Sequence, residues 1–216
     1  MEAYTKTVTV PAGQIQKVVL PDSSHVWINA GSSLSYQVPF FDRNIQLKGE
    51  AFFEVTRNEK SPFTITSADL KVRVLGTSFN VRNYSEGLPQ VNVSKGKVQV
   101  EVNQNPDQKA ILIKSEMAIV KKNHLVKTQG KFKDIAIWRE GKLVFENKPI
   151  NDIIPELQRW YKVKIELTDS KIGQQRFSGS FHKETLESIL KVMHHALCID
   201  YTIQEETVIL SKNSCF

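Results

Sequence analysis

The sequence predicts a mainly β protein, in which an N-terminal all-β sandwich or roll is followed by a small C-terminal α+β domain of two βαβ-like repeats. Apolar and polar residues alternate in short segments from Thr7 to about Lys127, which is the period of half-buried strands. After Gln129-Gly130 the apolar period changes to that of amphipathic helices. We therefore expect two domains, residues 1–130 and residues 131–216.

The N-terminal part is predicted to contain many strands and no helix of useful length. Its alternating segments are short and nearly evenly spaced, as in β-sandwiches and rolls. Residues that favour turns separate these segments. The expected turns are Pro11-Ala12-Gly13, Pro21-Asp22-Ser23, Lys48-Gly49, Asn58-Glu59-Lys60, Glu86-Gly87 and Ser94-Lys95-Gly96.

The C-terminal part is predicted to contain two helices flanked by strands. The first helix has an apolar stripe from Ile153 to Tyr161, with Asn151 as its N-cap and Pro155 tolerated near its first turn. The second helix is expected to begin near Thr185. Strands are expected over residues 143–145, 163–167, 176–181, 199–203 and 208–210.

An internal repeat supports this interpretation. A shift of 36 positions places nine apolar residues on apolar residues, for example Phe145 on Phe181 and Ile153 on Ile189. Because one such unit cannot bury its apolar face alone, the repeat predicts two units packed as one domain. The predicted order is strand, helix, strand, strand, helix, strand, strand. It leaves open sheet edges, which can pair with a strand of a partner.

The composition is that of a globular protein and excludes several classes. Hydrophobic residues at 40% and charged residues at 24% argue against a disordered, collagen-like or coiled-coil chain. No stretch has the roughly 20 apolar residues that span a bilayer, and Met1 does not begin a signal-peptide pattern, so we expect any export or anchoring signal to lie upstream. The net charge is +6, but the lysines are scattered singly, which favours a solvated face over nucleic-acid binding.

Motifs for nucleotide binding and for hydrolysis are absent. The sequence has neither a phosphate-binding loop nor a dinucleotide fingerprint. The segment Phe177-Ser178-Gly179-Ser180 lacks the Gly-x-Ser-x-Gly pattern of a nucleophile elbow and continues as a predicted strand. We therefore expect a binding or interaction module without a cofactor, rather than an enzyme.

His194 and Cys198 come closest to a metal-site pattern. They are four residues apart near a helix end and could share a face, but zinc needs three or four ligands, and no other Cys or His pair has suitable spacing. The alternative, surface imidazoles beside a small buried thiol, predicts no metal. The two cysteines, Cys198 and Cys215, form no disulfide framework, and Cys215 could be a free thiol in the tail.

Glu50, Glu54 and the three tryptophans could in principle serve carbohydrate chemistry. At a rise of about 3.3 Å per residue, the two carboxylates lie about 13 Å apart on one strand. This is too far for a glycosidase pair, so a surface or turn-bracing role is expected. Trp27, Trp138 and Trp160 belong to three distant segments, which favours core or interdomain packing over a sugar-stacking platform.

Several segments of the N-terminal part occur in the order found in a known family. Examples are Pro21-Asp22-Ser23-Ser24, the run from Arg43 to Val55, and the run from Val72 to Val81. The residues that carry the match are Asp22, Asn29, Arg43, Gly49, Glu50, Phe53, Val55, Pro62, Phe63, Gly76, Thr77, Phe79 and Gly96. Over roughly residues 7–120 the chain resembles the FecR-family anti-sigma regulators.

The C-terminal part extends this resemblance. The segments Trp138-Arg139-Glu140-Gly141 and Pro149-Ile150, with Phe145 between them, look like the domain that follows the sensor in Bacteroidetes members of the family. The repeat is similar to the short N-terminal signalling domain of secretins and TonB-dependent transporters. The resemblance thus covers nearly the whole chain.

The resemblance implies cell-surface signalling and transcription regulation across two membranes. Family members hold an extracytoplasmic-function sigma factor with a cytoplasmic segment, which is expected to lie outside this sequence. One transmembrane helix and a periplasmic sensor follow that segment. A TonB-dependent outer-membrane transporter presents its periplasmic signalling domain to the sensor, and the signal releases the sigma factor. The chain is therefore expected to be the periplasmic domain of an inner-membrane anti-sigma factor that acts by protein–protein interaction.

Two turns depart from the family pattern. Asp22-Ser23-Ser24 stands where the family usually has Asp-Gly-Ser, so we expect Ser23 to occupy a strained or rearranged left-handed turn. Lys114-Ser115-Glu116 stands where a turn containing Pro-Gly is common.

The resemblance also raises the question of self-cleavage, because some family members are cut within the motif that matches Gly76-Thr77. The Thr77 hydroxyl would attack the Gly76 carbonyl carbon, moving the acyl group from nitrogen to oxygen before hydrolysis. This step needs backbone strain and an oxyanion donor. The alternative, which we favour, is a strand turn in which Gly76 fits and Thr77 packs.

Two further functions stay open at this point. One is a carbohydrate-binding β domain with an α+β interaction module, in which the aromatic residues face a glycan. The other is a nucleic-acid module driven by the basic first domain, whose binding would fall steeply with salt.

Overall fold

In the computed structural model, which describes residues 3–130 and 135–213, the chain divides into two compact units. The first is Met1–Ala136 and the second is Ile137–Phe216. Each unit has a hydrophobic core of its own. The prediction of a mainly β fold with a small C-terminal α+β part is confirmed.

The first unit consists of thirteen strands in its described residues. They are β1 Tyr4–Val10, β2 Gln16–Val19, β3 His25–Ile28, β4 Ser32–Val38, β5 Asn44–Glu54, β6 Phe63–Thr66, β7 Leu70–Val74, β8 Ser78–Asn83, β9 Gln90–Lys95, β10 Lys97–Val102, β11 Asn105–Ile113, β12 Glu116–Lys121 and β13 His124–Gln129. Their alternating burial matches the period-two pattern of the sequence.

These strands form two sheets that share β5. In the first sheet the order is β1-β4-β5-β6-β7-β10-β11, and in the second it is β2-β3-β5-β8-β9-β12-β13. All neighbours are antiparallel except β5 and β6, which are parallel. The N-terminal part of β5 pairs with β4 and β6, whereas its C-terminal part pairs with β3 and β8.

The chain passes from one sheet to the other at glycines. β5 changes sheet at Gly49, which has a φ of +93°, and Gly96, with a φ of +89°, separates β9 in the second sheet from β10 in the first. The prediction of a turn at Lys48-Gly49 is therefore wrong. The glycine allows a bend that re-aims one continuous strand, and no chain reversal occurs there.

Three phenylalanines fill the core between the two sheets. Phe63 of β6 lies in the first sheet, and Phe53 of β5 and Phe79 of β8 lie in the second. The rings of Phe53 and Phe79 stack with centroids 5.4 Å apart, and Phe53 meets Phe63 edge to face at 6.2 Å. All three are fully buried, so they join the sheets by apolar contact as well as through β5.

The second unit contains the predicted elements and one short helix that the sequence did not predict. After a 3-10 turn at Ile137–Glu140, its elements are β14 Lys142–Pro149, α1 Ile150–Tyr161, β15 Lys164–Leu167, α2 Ser170–Gln174, β16 Arg176–His182, α3 Leu186–Leu197, β17 Ile199–Gln204 and β18 Thr207–Lys212. The additional helix is α2. In the described ranges, no helix is long and apolar enough to cross a bilayer.

The repeat is visible in the helices, but the strands pair across the repeats. Shifted by 36 positions, α1 covers α3 residue for residue. However, β14 pairs with β16, and β15 and β17 both pair with β18, so the two strands of one repeat lie in different sheets. The repeats are therefore interlocked and share one core, which contains residues of both helices.

The two helix starts differ from each other. The second long helix, α3, begins near Thr185 as predicted, and Thr185 caps it, because its Oγ1 accepts a hydrogen bond from the Ser188 amide at 3.2 Å. The prediction of Asn151 as the cap of α1 is wrong, since that helix begins at Ile150, whose amide donates to the Gln175 carbonyl at 2.9 Å. Pro155 consequently lies in the second turn of α1.

We expect Gly49→Ala to destabilise the protein much more than Gly87→Ala does. Both glycines have φ near +90°, so either alanine costs about 1–2 kcal/mol in backbone strain. A Cβ at Gly49 would lie 2.3 Å from Ser32 Oγ, whereas a Cβ at Gly87 would meet nothing within 4 Å. Crowding should therefore cost the Gly49 variant about 1–3 kcal/mol more, measured by urea unfolding. Equal losses in the two variants would contradict the crowding at Gly49.

Candidate functional site

One cluster of motif residues is centred on Arg43, which lies just before β5 and is buried. Its Nε and Nη2 donate to Asp22 Oδ2 at 2.8 and 2.7 Å. Its Nη1 donates to the Ser61 carbonyl at 2.7 Å, and its Nη2 also donates to the Thr56 carbonyl at 2.6 Å. The guanidinium therefore joins the Asp22 turn to both ends of the loop between β5 and β6, and its fixed fork of donors is used within the protein.

The Asp22 turn completes this cluster. Asp22 accepts hydrogen bonds from the Ser24 amide at 3.0 Å and from Ser24 Oγ at 2.9 Å, and Ser24 Oγ accepts from the Thr56 amide at 3.1 Å. Ser23 has a φ of +66°, so the expected left-handed conformation is confirmed. Ser115, in the other departure from the family pattern, has a φ of +67°.

A second cluster surrounds Glu50, directly after the bend at Gly49. Glu50 is nearly buried, and its two carboxylate oxygens accept from Asn29 Nδ2 at 2.9 Å and from Asn80 Nδ2 at 2.8 Å. Its amide donates to Ser32 Oγ at 2.9 Å. Glu54 is exposed and takes no part in this cluster. The Glu50 carboxylate therefore braces the bend and does not form an acid–base pair with Glu54.

The Gly76-Thr77 pair lies between β7 and β8, where the chain again changes sheet. Thr77 is buried, and its Oγ1 donates to the Lys97 carbonyl at 2.9 Å. A Cβ at Gly76 would lie 2.5 Å from the Arg57 Cα, and a Cβ at Gly96 would lie 3.0 Å from Thr77 Oγ1. The two glycines make room for this packing. A carbonyl oxygen is too weak a base to take the hydroxyl proton, so the arrangement favours packing over attack by Thr77.

The other motif residues are core or surface positions. Phe53, Phe63, Phe79 and Val55 are buried in the first core. Pro62 is exposed, immediately before β6. The structure thus brings the polar motif residues into buried clusters at the sheet crossings, where their hydrogen-bonding groups are directed to other residues of the same unit.

A crevice of ≈ 580 Å³ lies beside these clusters in the first unit. Its lining includes Asn83, Tyr84 and Asn123. Tyr84 Oη donates to the Ala30 carbonyl at 2.8 Å, Asn83 Nδ2 donates to Ser67 Oγ at 2.9 Å, and Asn123 Nδ2 donates to Gln104 Oε1 at 3.0 Å. These three donors are already hydrogen-bonded within the unit, so they do not mark the crevice as a ligand site.

The three tryptophans are divided between the two units. Trp27 is half-buried in the first unit, where it contacts Phe52 edge to face at 6.0 Å and lies under the Lys17 ammonium at 4.6 Å. Trp138 and Trp160 belong to the second unit, and Trp138 is only 7% exposed. Packing therefore accounts for these residues better than sugar stacking, and the carbohydrate alternative gains no support from them.

The interpretation of Cys198 as a thiol is wrong, because Cys198 is disulfide-bonded. The other cysteine, Cys215, lies outside the described residues. His194 Nδ1 lies 2.8 Å from the Ile199 carbonyl oxygen and 3.1 Å from Asp200 Oδ1. A disulfide sulfur does not supply the thiolate that zinc binds, and the described ranges contain no group of three or more metal-ligating side chains.

The second unit presents an open strand edge at β17. In an antiparallel pair, consecutive residues alternate between facing the partner strand and facing away. The Asn213 amide donates to the Cys198 carbonyl at 3.1 Å, so the peptide groups of Tyr201 and Ile203 face away from β18. Ile203 is also 46% exposed. The edge of β17 can therefore accept a further strand.

The other edges of this unit are less open. On β15 the Ile165 amide, which would face a new strand, donates to Gln158 Oε1 at 2.8 Å. The pair of β14 and β16 is interrupted by an irregularity between Phe145 and Lys148. Such irregularities and side-chain caps hinder edge pairing, which leaves β17 as the best-suited edge in the described part of this unit.

We expect Arg43→Ala to lower the free energy of unfolding by about 3–5 kcal/mol, because it leaves the Asp22 carboxylate without its cation in a nearly buried site. Arg57→Ala is the matched control, since the Arg57–Glu59 pair is exposed on both sides and should be worth at most about 0.5 kcal/mol. Urea unfolding measures both. A loss in the free energy of unfolding below about 1 kcal/mol for the Arg43 variant, instead of the expected loss of about 3–5 kcal/mol, would contradict the role assigned to the cluster.

We expect the purified chain to stay intact at Gly76-Thr77. Intact-mass spectrometry after prolonged incubation should show the uncut chain of 24.6 kDa, with Thr77→Ala as the control. The physical reason is the buried Thr77 hydroxyl, which is held by a carbonyl acceptor. Fragments that end at Gly76 in the unsubstituted protein, and that are missing in the Thr77 variant, would show self-cleavage instead.

Comparison with known proteins agrees with this arrangement of two units. Residues 6–99 match the family described as FecR protein, and residues 142–210 match the family described as FecR, C-terminal. No curated protein matches the chain. Two crystal structures, each of a candidate anti-sigma factor from Parabacteroides distasonis ATCC 8503, are 31% identical to it.

The two crystal structures resemble the chain over almost its full length. The one at 1.65 Å has a TM-score of 0.88, with 97% of this chain and 100% of that chain covered. The one at 2.50 Å has a TM-score of 0.89, with 98% and 100% covered. The resemblance found in the sequence is thereby confirmed, and the chain belongs to the FecR family of anti-sigma factors.

Proposed function

We propose that the chain is the periplasmic sensor part of a transmembrane anti-sigma regulator. It receives a signal from a TonB-dependent outer-membrane transporter and controls an extracytoplasmic-function sigma factor. The observation that carries the proposal is the open edge of β17. The polar motif residues Arg43 and Glu50, in contrast, are already hydrogen-bonded to other residues of the same unit.

Membership in the FecR family supports the part of the proposal that concerns the sigma factor. The sigma factor would be held by a cytoplasmic segment outside this sequence, joined to the sensor by one transmembrane helix. The chain itself would act by protein–protein contact. Its lysines are scattered along the sequence, so we do not propose nucleic-acid binding.

The disulfide-bonded Cys198 supports a periplasmic location. Structural disulfides persist in oxidising compartments such as the bacterial periplasm and are rare in the cytosol. Cys198 is the residue directly after α3 and directly before β17. The bond would therefore help to hold the start of the edge strand in place.

The proposed docking step is addition of a strand to β17. The peptide groups of Tyr201 and Ile203 would pair with an edge strand of the transporter's signalling domain. The exposed Ile203 side chain would supply apolar contact, while main-chain hydrogen bonds would supply most of the attraction. At the start of the strand, the Ile199 carbonyl oxygen already contacts His194 Nδ1 at 2.8 Å. The edge that is open to a partner strand therefore begins after Ile199.

We expect Ile203→Pro to weaken binding of the signalling domain about tenfold or more, because it removes one main-chain donor from the edge. The residue faces away from β18, so proline should be tolerated there. The measurement is calorimetric titration of the whole chain with the signalling domain of the transporter encoded beside it. Ile111→Pro, at an edge of the first unit, is the matched control and should bind normally.

Two results would contradict the proposal. Failure of the unsubstituted, folded chain to bind the signalling domain would remove the transporter as its partner. Normal binding by the Ile203 variant would keep the partner but move the docking surface away from β17.

A further inference from the structure

The first unit contains a seam that is closed by side chains instead of a strand ladder. The strands β11 and β13 lie at opposite ends of the sheet order, and each has one backbone partner, β10 and β12 respectively. Their free edges nevertheless meet. Gln108 Oε1 accepts from the Leu125 amide at 3.2 Å, and Lys127 Nζ donates to the Ile111 carbonyl at 3.0 Å.

These bridges show how the two edges are aligned. Asn123 Nδ2 donates to Gln104 Oε1 at 3.0 Å, and the bridges to Leu125 and Ile111 follow further along both strands. The contacts therefore advance in the same direction on the two strands, which makes β11 and β13 parallel. The edges are side by side, but their peptide groups bond to side chains of the other strand.

The end of the seam is closed in the same manner. The Ile113 amide donates to Glu116 Oε2 at 2.8 Å, and Lys127 Nζ lies 2.7 Å from the same oxygen. The hydrogen bond from Lys127 holds the pKa of Glu116 below its ordinary value, so this carboxylate is ionised at neutral pH. Three polar side chains, Gln108, Glu116 and Lys127, thus take the place that a neighbouring strand would occupy.

Such bridges are easier to replace than a strand ladder. The bridges from Gln108 and Lys127 are made by side chains that are only partly buried, and water or another polar group can substitute for them. A strand that entered the seam would satisfy the same peptide groups with main-chain hydrogen bonds. The peptide groups of Ile111 and Ile113 already face the seam, as their bonds to Lys127 and Glu116 show.

The surroundings of the seam indicate which kind of strand would fit. Three apolar side chains on these strands are strongly exposed, namely Ile111 at 60%, Ile113 at 48% and Val126 at 50%. Residues 105–129 contain five lysines and two acidic residues. Lys109, Lys121 and Lys122 are exposed, and none of them forms an ion pair with the described part of the chain.

We propose that the seam between β11 and β13 binds an extended segment of a partner protein in which acidic and apolar side chains alternate. The segment displaces the bridges from Gln108 and Lys127 and pairs with the free edge of β11. Its apolar side chains contact Ile111 and Ile113, and its carboxylates face the lysines of the rim. This surface lies in the first unit and does not depend on the docking proposed at β17.

The test uses the whole chain and a synthetic peptide of about ten residues that alternates Glu with Val, compared with a peptide that carries Lys in place of Glu. Binding is followed by calorimetry and by amide chemical shifts. We expect the acidic peptide to bind and to shift the amides of Ile111, Ile113 and Leu125, and the basic peptide to bind at least about tenfold more weakly.

Two variants locate the site. Ile111→Pro should weaken binding of the acidic peptide about tenfold, because it removes a donor that faces the seam. Gln108→Ala should strengthen binding, because it removes a bridge that the peptide must displace, and it should also accelerate hydrogen exchange of the Leu125 amide. Ile203→Pro, at β17, is the matched control and should leave peptide binding unchanged. Circular dichroism verifies that all variants are folded.

Several outcomes would overturn the proposal. They are no binding of the acidic peptide to the folded chain or to the Gln108 variant, equal binding of the acidic and basic peptides, and normal binding by the Ile111 variant. Concentration-dependent dimerisation that is lost in the Ile111 variant would show that the occupant is a second copy of this chain. Because Ile203→Pro tests the transporter partner and Ile111→Pro tests the seam, either proposal can fail without the other.

Discussion

The first unit depends on the passage of β5 from one sheet to the other. The two sheets share only this strand among their described backbone pairings, so the bend at Gly49 sets how they are joined. The bend is held by Glu50, which binds Asn29 and Asn80 through its carboxylate and Ser32 through its amide. A charge that is nearly buried is tolerated there because both of its oxygens have donors.

The same logic explains the other family motifs. Arg43 secures the segment that leads into β5, and Thr77 joins two further crossings through the Lys97 carbonyl. The hydrogen-bonding groups of these residues are directed to other residues of the fold. The unpaired peptide groups at the strand edges therefore remain for binding a partner. In the described ranges, the edges best suited are β17 in the second unit and the seam between β11 and β13 in the first.

The periodicity of apolar residues correctly predicted the features that depend on neighbouring residues in the chain. The strands of the first part, the 36-residue repeat and the start of α3 near Thr185 all follow from residues close together in the chain. The bend at Gly49 was mistaken for a turn, because a glycine that interrupts an alternating pattern has the same appearance in either case. The start of α1 was misplaced, since the Gln175 carbonyl that receives the Ile150 amide lies 25 residues away in sequence.

Contacts between distant segments could not be predicted from the sequence. Asp22 and Arg43 were both recognised as motif residues, but nothing in their spacing shows that they form an ion pair. The pairing of β14 with β16 likewise depends on how the two repeats interlock, which is a property of the shared core. The disulfide at Cys198 was missed because two cysteines alone do not reveal whether they are joined.

In this structure the family motifs build a rigid scaffold, and strand edges are left for partners. Native-state hydrogen exchange of the whole chain, followed by NMR, distinguishes the scaffold from the edges. We expect the amides of Asn29 and Glu50 to exchange only through global unfolding, and those of Tyr201 and Ile203 to exchange rapidly. Exchange of the Asn29 and Glu50 amides by local opening, at rates close to those of the β17 edge, would contradict this expectation.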